Sequence, residues 1–375
     1  VVLKNIDDVK PFSYFLLKVA SRCNLNCTYC YWFRDNSVYE KEKFISEDVQ
    51  NALINRFNNH LRKYNLSKFY ILIHGGEPLL FGKEQLDLLC TRLRRVAVLN
   101  NCNLTLSLTT NGVLIDEEWI AIFKKQNIKI TISIDGPPEI HDKKRIDFKY
   151  RGTSEPVLNG YKLLKSNAID PGILAVCDPT TDPESYTSFF INKLHLKHFD
   201  ILIPDSTHED RPESISAFYI KLFDLWFDRY LKEGIKIRII ESMVKGLFGH
   251  SSGSESIGFV PVQTITILTD GSIEPLDVLR TIGDGATATN LNVLKDEIQS
   301  IANDNLWNYI RDSSTNLASE CQICPYMNAC GGGHIGSRWS DKNKFDNPSV
   351  YCNDFKEIFS HICNRIGPTL FHKAS

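Results

Sequence analysis

The sequence predicts an α/β fold: an open, partial barrel of six βα units, followed by a small, irregular, cysteine-rich domain. Three observations predict it. Strand-like apolar runs alternate with amphipathic helical runs from residue 12 to residue 204. A C-x3-C-x2-C cluster, Cys23, Cys27 and Cys30, follows the first strand directly. A second cluster, Cys321, Cys324, Cys330 and Cys352, lies beyond the end of the alternation.

The first strand spans 12–20. A helix over 46–64 begins at Ser46, a capping residue, and places Val49, Leu53, Phe57 and Leu61 on one face. Then come strand 69–74, helix 83–99, strand 104–109, helix 116–126 and strand 128–134. Helix 155–166, strand 173–177, helix 183–194 and strand 199–203 complete six units. Helical crossovers imply parallel strands, and the polar motifs close the strands at their carboxyl ends, where such folds carry function. A long helix over 214–233 follows, then a Gly/Ser-rich stretch at 250–258 and a hairpin over 264–276 turning at Asp270-Gly271. The expected organisation is an N-terminal extension (1–11), the barrel (12–235), a bridging region (236–262) and the cysteine-rich domain (263–375).

Bulk composition narrows the function. The chain has 375 residues, with 43 Lys plus Arg against 45 Asp plus Glu, a formal charge of −2. That balance gives no reason to expect a nucleic-acid partner. No run is apolar and long enough to span a membrane, and 1–15 lacks a basic segment followed by an apolar run. The expectation is a cytosolic protein, where clustered cysteines bind metal or do redox work more often than they form disulfides.

Three thiolates on one loop hold three irons of a cubane and leave the fourth open to a ligand, whereas four would close it. The alternatives are a zinc site, which favours four ligands in paired C-x2-C spacing, or unrelated buried cysteines. C-x3-C-x2-C after a strand that opens a βα series, with the motifs that follow in order, resembles the radical S-adenosylmethionine (SAM) superfamily. The resemblance implies a [4Fe–4S] cluster on Cys23, Cys27 and Cys30 that binds and cleaves SAM. It places Tyr29 near adenine and assigns Gly75, Gly76 and Glu77 of the GGEP motif to SAM binding. Asn111, which follows the next strand, and Ser133 and Asp135, at the end of the one after, join them. Arg151 is the candidate for the SAM carboxylate, with Arg145 competing.

The second cluster, C-x2-C-x5-C with a distant cysteine and a Gly331-Gly332-Gly333 turn, resembles the SPASM extension of peptide-modifying radical SAM enzymes. The full extension holds two auxiliary clusters. Here Leu276 and His334 occupy positions where that pattern has cysteine, so one auxiliary [4Fe–4S] cluster, held by Cys321, Cys324, Cys330 and Cys352, is expected. Zinc is the alternative. Cys90, Cys102, Cys177 and Cys363 read as structural.

The stretches Asp270 to Arg280, and Gly331 to Arg338 with Asn347 to Cys352, resemble maturases that build three-residue cyclophanes. The leading expectation is therefore a C–C crosslink between an aromatic ring and the Cβ of a nearby residue in a ribosomal precursor peptide. Asp277 would be the base that takes the proton. A flavodoxin or ferredoxin would supply electrons. The alternatives are another radical oxidation of a peptide (formylglycine formation, an ether or a lysine crosslink) and a non-catalytic iron–sulfur electron carrier.

Overall fold

The computed structural model describes residues 9–371, so most of the expected N-terminal extension lies outside the described residues. The six anticipated strands are β1 (Tyr14–Ala20), β2 (Lys68–Gly75), β3 (Asn103–Thr110), β4 (Lys129–Ser133), β5 (Gly172–Val176) and β6 (His198–Leu202). Helices alternate with them, as expected. The helix Glu47–Tyr64 shows why local sequence sufficed. Ser46 accepts a hydrogen bond from the Val49 N–H at 3.3 Å, Glu47 and Asp48 occupy the first turn, and Asn65 ends the helix in the left-handed region. Val49, Leu53, Phe57 and Leu61 are buried.

The chain divides into two compact units. The first comprises 9–133, 144–172 and 263–310 of the described residues. In it β1 to β4 pair in parallel, each with the next, and Phe15, Phe57 and Phe69 pack edge to face at the core. The second comprises 134–143, 173–262 and 311–371. It holds the parallel pairs β5–β6 and β6–β7, the last a short strand at Lys236–Ile237 that sequence reasoning missed.

The hairpin expected at 264–276 is shorter, with strands at Thr266–Ile267 (β8) and Ile273–Glu274 (β9). Its first strand adds in parallel to β1, pairing Leu16 with Thr266, while β9 runs antiparallel to β8. Buried backbone groups on the free side of β1 need partners, and β8 supplies them. This addition carries Asp277, the first residue of a 3-10 turn at Asp277–Ile282, to the β1 edge.

The bridging stretch holds a helix at Arg238–Leu247 that the sequence reading did not place, and the cysteine-rich region, expected to be irregular, holds helices at Asn305–Thr315 and Cys352–Phe371. Cys90, Cys102 and Cys177 are buried, as small apolar side chains are; Cys363 is exposed, so burial does not explain it.

Candidate active site

The cysteine loop leaves β1 at Ala20 and ends in a 3-10 turn at Tyr31–Arg34. Its backbone is tied to 144–147: Asn26 N–H donates to the Ile146 carbonyl at 2.8 Å and Thr28 N–H to that of Lys144 at 3.0 Å. The Leu25 N–H donates to the Cys23 sulfur at 3.3 Å, and the Asn111 amide lies 3.7 Å from that sulfur. Burial raises the Cys30 thiol, opposed by backbone N–H groups of Phe33 and Trp32 and the charges of Arg145 and Lys18. Burial and then the Glu77 charge raise Cys23. Thiols on a loop with inward N–H groups and nearby cations fit an anionic cluster, since metal coordination deprotonates a thiol.

The GGEP segment packs against this loop. A Cβ on Gly75 would fall 2.4 Å from the Ala20 carbonyl oxygen, and one on Gly76 2.5 Å from that of Arg22. Both glycines are required because the cysteine-loop backbone passes there, a reason distinct from the expected close approach to SAM. Glu77, buried, accepts from Thr110 Oγ1 and the Asn111 N–H at 2.8 Å and the Leu79 N–H at 2.9 Å. Burial raises its carboxyl to about 7 against those three bonds. Its Oε1 is doubly engaged, so Glu77 braces the ends of β2 and β3. Asn111 reaches Asn24 at 2.8 Å and thereby orients the cysteine loop.

Arg145, not Arg151, faces that loop. Its guanidinium lies 5.5 Å from the Tyr29 ring centroid. Arg151 instead projects from a hairpin tip, its side chain 71% exposed, and pairs with Asp147 at 2.7–2.8 Å. Ser133 is the last residue of β4 in the first unit. Asp135 belongs to the second unit, where its buried carboxylate accepts from the Val176 N–H at 3.0 Å and its N–H donates to His141.

Asp277 is the centre of a polar cluster that sequence reasoning missed. Its Oδ2 accepts from Tyr31 Oη at 2.6 Å and lies 2.5 Å from Lys18 Nζ. Lys18 Nζ is also 3.1 Å from His74 Nδ1 and 4.3 Å from the Trp32 ring centroid. Burial pushes the Asp277 carboxyl up. The Lys18 charge, His74 and the hydrogen bonds from Lys18 and Tyr31 outweigh it and hold the group at about 2. Burial, with Lys18 beside it, lowers His74 to about 3, which leaves the imidazole neutral. The available signal was a lysine inside the apolar run Phe15–Ala20, since lysine is almost never fully buried unless paired.

In the second unit Cys321, Cys324, Cys330 and Cys352 line one hollow with Tyr326 and Phe359. Gly331, Gly332 and Gly333 all have positive φ and turn the chain back after Cys330. A Cβ on Gly331 would lie 2.1 Å from the Gly258 carbonyl oxygen. Among the described residues no three His, Cys, Asp or Glu converge as a single-ion site requires, whereas four thiols around a hollow suit a polynuclear cluster. His334, at a missing ligand position, accepts the Gly336 N–H through Nδ1 and starts the turn Ile335–Arg338.

Residues 17–185 match the radical SAM superfamily. That segment is a radical SAM domain. Over 96% of its length it is 27% identical to a cysteine-type anaerobic sulfatase-maturating enzyme of Clostridium novyi, of which 97% is covered. A serine-type anaerobic sulfatase-maturating enzyme of Bacteroides thetaiotaomicron is 24% identical over 94% of this chain and 90% of its own. In fold the chain is similar to anSMEcpe with bound AdoMet, at a TM-score of 0.81, 24% identity, and coverage of 94% of this chain and 97% of that one. The same enzyme with bound AdoMet and Cp18Cys peptide gives a TM-score of 0.80 at 23% identity, covering 95% and 98%. The radical SAM α/β fold with a C-terminal cysteine-containing region is thereby confirmed. Among the described residues no helix is long and apolar enough to cross a membrane.

These relatives overturn the crosslinking expectation, because both are similar to this chain from end to end and are sulfatase-maturating enzymes. The structure explains the misreading. Arg280 pairs with Asp35 and Glu274 in a buried network, and Asp270 binds Lys41 and the Ser272 N–H of its turn. Arg338, buried, donates to the carbonyls of Ser313, Asn316, Phe345 and Asn347. Asp270, Arg280 and Arg338, which contributed to the resemblance, hold the fold and say nothing about product.

Proposed function

We propose that the chain oxidises the Cβ of a cysteine in a peptide or protein segment to an aldehyde, giving formylglycine. Similarity across nearly the full length to cysteine-type sulfatase-maturating enzymes carries this reading, and the buried Asp277 cluster supports it. On this reading Cys23, Cys27 and Cys30 hold the [4Fe–4S] cluster that binds SAM, and Cys321, Cys324, Cys330 and Cys352 hold an auxiliary [4Fe–4S] cluster. Bound there, these groups supply a 5′-deoxyadenosyl radical and an electron acceptor. A flavodoxin or ferredoxin serves as the reductant.

The chain's own residues do the rest. Arg145 receives the SAM carboxylate and Tyr29 packs beside it, in place of the role first given to Arg151. Asn111 and Glu77 fix the cysteine loop against the strand ends. Asp277 accepts the thiol proton of the substrate cysteine at Oδ2. Ser133 and Asp135, at the end of β4 and just beyond it, remain the candidates for the SAM ribose.

Anaerobic incubation with SAM, a reductant and a cysteine-containing sulfatase-type peptide tests the reading. The product should have lost sulfur and two hydrogens and gained one oxygen, and should react with a hydrazide. A product that retains sulfur and carries no aldehyde contradicts it.

A further inference from the structure

Every residue of β1 from Phe15 to Ala20 is buried, and one of them is Lys18. An apolar residue would serve the strand better, because a buried ion pair rarely outperforms well-packed hydrophobic side chains. The lysine is instead the hub of contacts from three other segments. Its ammonium lies 2.5 Å from Asp277 Oδ2, 3.1 Å from His74 Nδ1 and 3.3 Å from Tyr31 Oη. Tyr31 donates to the same Asp277 oxygen, so Oδ2 is fixed from two directions.

We infer that Lys18 is a positioning residue acting through Asp277: with Tyr31 it clamps Oδ2, and its ammonium keeps that carboxylate ionised as the proton acceptor for the substrate side chain. The inference rests on the proposed oxidation of a peptide side chain. The order of events then balances. The Cβ–H bond breaks and that hydrogen ends in 5′-deoxyadenosine. An iron–sulfur cluster held by the cysteines would supply the acceptor for the one electron the carbon radical loses; with that electron gone and the S–H proton passed to Asp277, the C=S bond forms. Water then replaces sulfur, releasing hydrogen sulfide and leaving the aldehyde. A weak, fixed base suffices because formation of the C=S bond drives the proton out.

The groups facing Asp277 are Lys18 of β1, His74 of β2 and Tyr31 after the cysteine loop; Arg280 and Cys30 act in turn on Lys18. Burial and the Lys18 charge leave His74 neutral, and burial lowers Lys18 itself against the pull of Asp277, so the Lys18 ammonium, held by that pairing, is the cation that keeps Asp277 ionised.

The test is the ratio of oxidised peptide to 5′-deoxyadenosine, measured from acid to mildly alkaline pH in the cluster-loaded protein. In the wild type the ratio should be flat. In Lys18→Met, burial is no longer opposed by the ammonium, so the ratio should fall at least tenfold on the acid side and recover as pH rises. Lys18→Arg should restore the flat profile. Iron content and 5′-deoxyadenosine formation report whether the protein is intact. If Lys18→Met loses iron, Lys18→Gln, which keeps a donor to Oδ2 without the charge, takes the same test. A flat ratio in the uncharged variant overturns the inference, as does a loss shared equally by product and 5′-deoxyadenosine with iron intact. A pH-dependent ratio with a product other than the aldehyde retires the formylglycine reading and leaves the role of Lys18 standing. An aldehyde with a flat ratio does the reverse.

Discussion

Cys23, Cys27 and Cys30 share their surroundings with charged and polar side chains: Lys18, Arg145, Glu77 and Asn111. Cys321, Cys324, Cys330 and Cys352 share their hollow with Tyr326, Met327, Phe355 and Phe359, and with the charged Glu320 and Lys356. The first set has three thiols and is ringed by groups able to bind, orient and move protons. The second has four, wrapped by a glycine turn and lined by aromatic rings together with Glu320 and Lys356. The difference lies in thiol number and in the strand-end groups around the first set: on the proposed function, three thiols leave a cluster position open to SAM beside residues that bind and move protons, and four close a cluster that serves electrons.

The comparison breaks most visibly at the ligands. Replacing Cys23, Cys27 and Cys30 together by Ala should abolish 5′-deoxyadenosine formation and lower iron from about eight to about four per chain. Replacing the four C-terminal cysteines should remove as much iron but leave SAM cleavage; loss of cleavage there would erase the distinction. Next in size is Asp277→Asn, which should cut oxidised product by roughly 10²-fold or more while 5′-deoxyadenosine continues to form. Equal loss of both would place Asp277 in the scaffold.

Glu77 tests the polar surroundings through pH. Its folded pKa of about 7 lies above the ordinary carboxyl value, so the folded state holds the extra proton between about pH 4.5 and 7. The stability contribution is present below that window and is lost as pH rises through it. Glu77→Gln should therefore gain on the wild type by up to about 3 kcal/mol across the window, followed by chemical denaturation. A constant difference would show that Glu77 is not strained by burial. In the second unit Arg338→Leu strands four carbonyls and should lower stability by about 3 kcal/mol, visible as a shift in Tm. The smallest effect separates two arginines: Arg145→Ala should weaken SAM binding about tenfold, and Arg151→Ala should leave it unchanged, because the Arg151 side chain is exposed and turned to Asp147.

The strand–helix alternation, the Ser46 cap and both cysteine sets were legible because each depends on short-range pattern. The cluster at Asp277 was not, because Lys18, Tyr31, His74 and Asp277 come from four segments that meet only when β8 adds to β1. The surroundings of Arg151 were not legible for a related reason: they depend on a local pairing with Asp147, four residues away. The peptide chemistry was misassigned because Glu274, Arg280 and Arg338, prominent in sequence, are prominent for packing. Gly75 and Gly76, expected at the SAM site, owe their identity to the chain beside them.

The most direct measurement is the fate of the Cβ hydrogens. A cysteine-containing sulfatase-type peptide carrying deuterium at that Cβ is incubated with the enzyme, SAM and reductant, and both products are analysed by mass spectrometry. Radical oxidation at this carbon predicts one deuterium in 5′-deoxyadenosine for each aldehyde formed, with the second deuterium retained on the aldehyde carbon. An aldehyde formed without deuterium in 5′-deoxyadenosine, or deuterium transfer with no change at the cysteine, would contradict it.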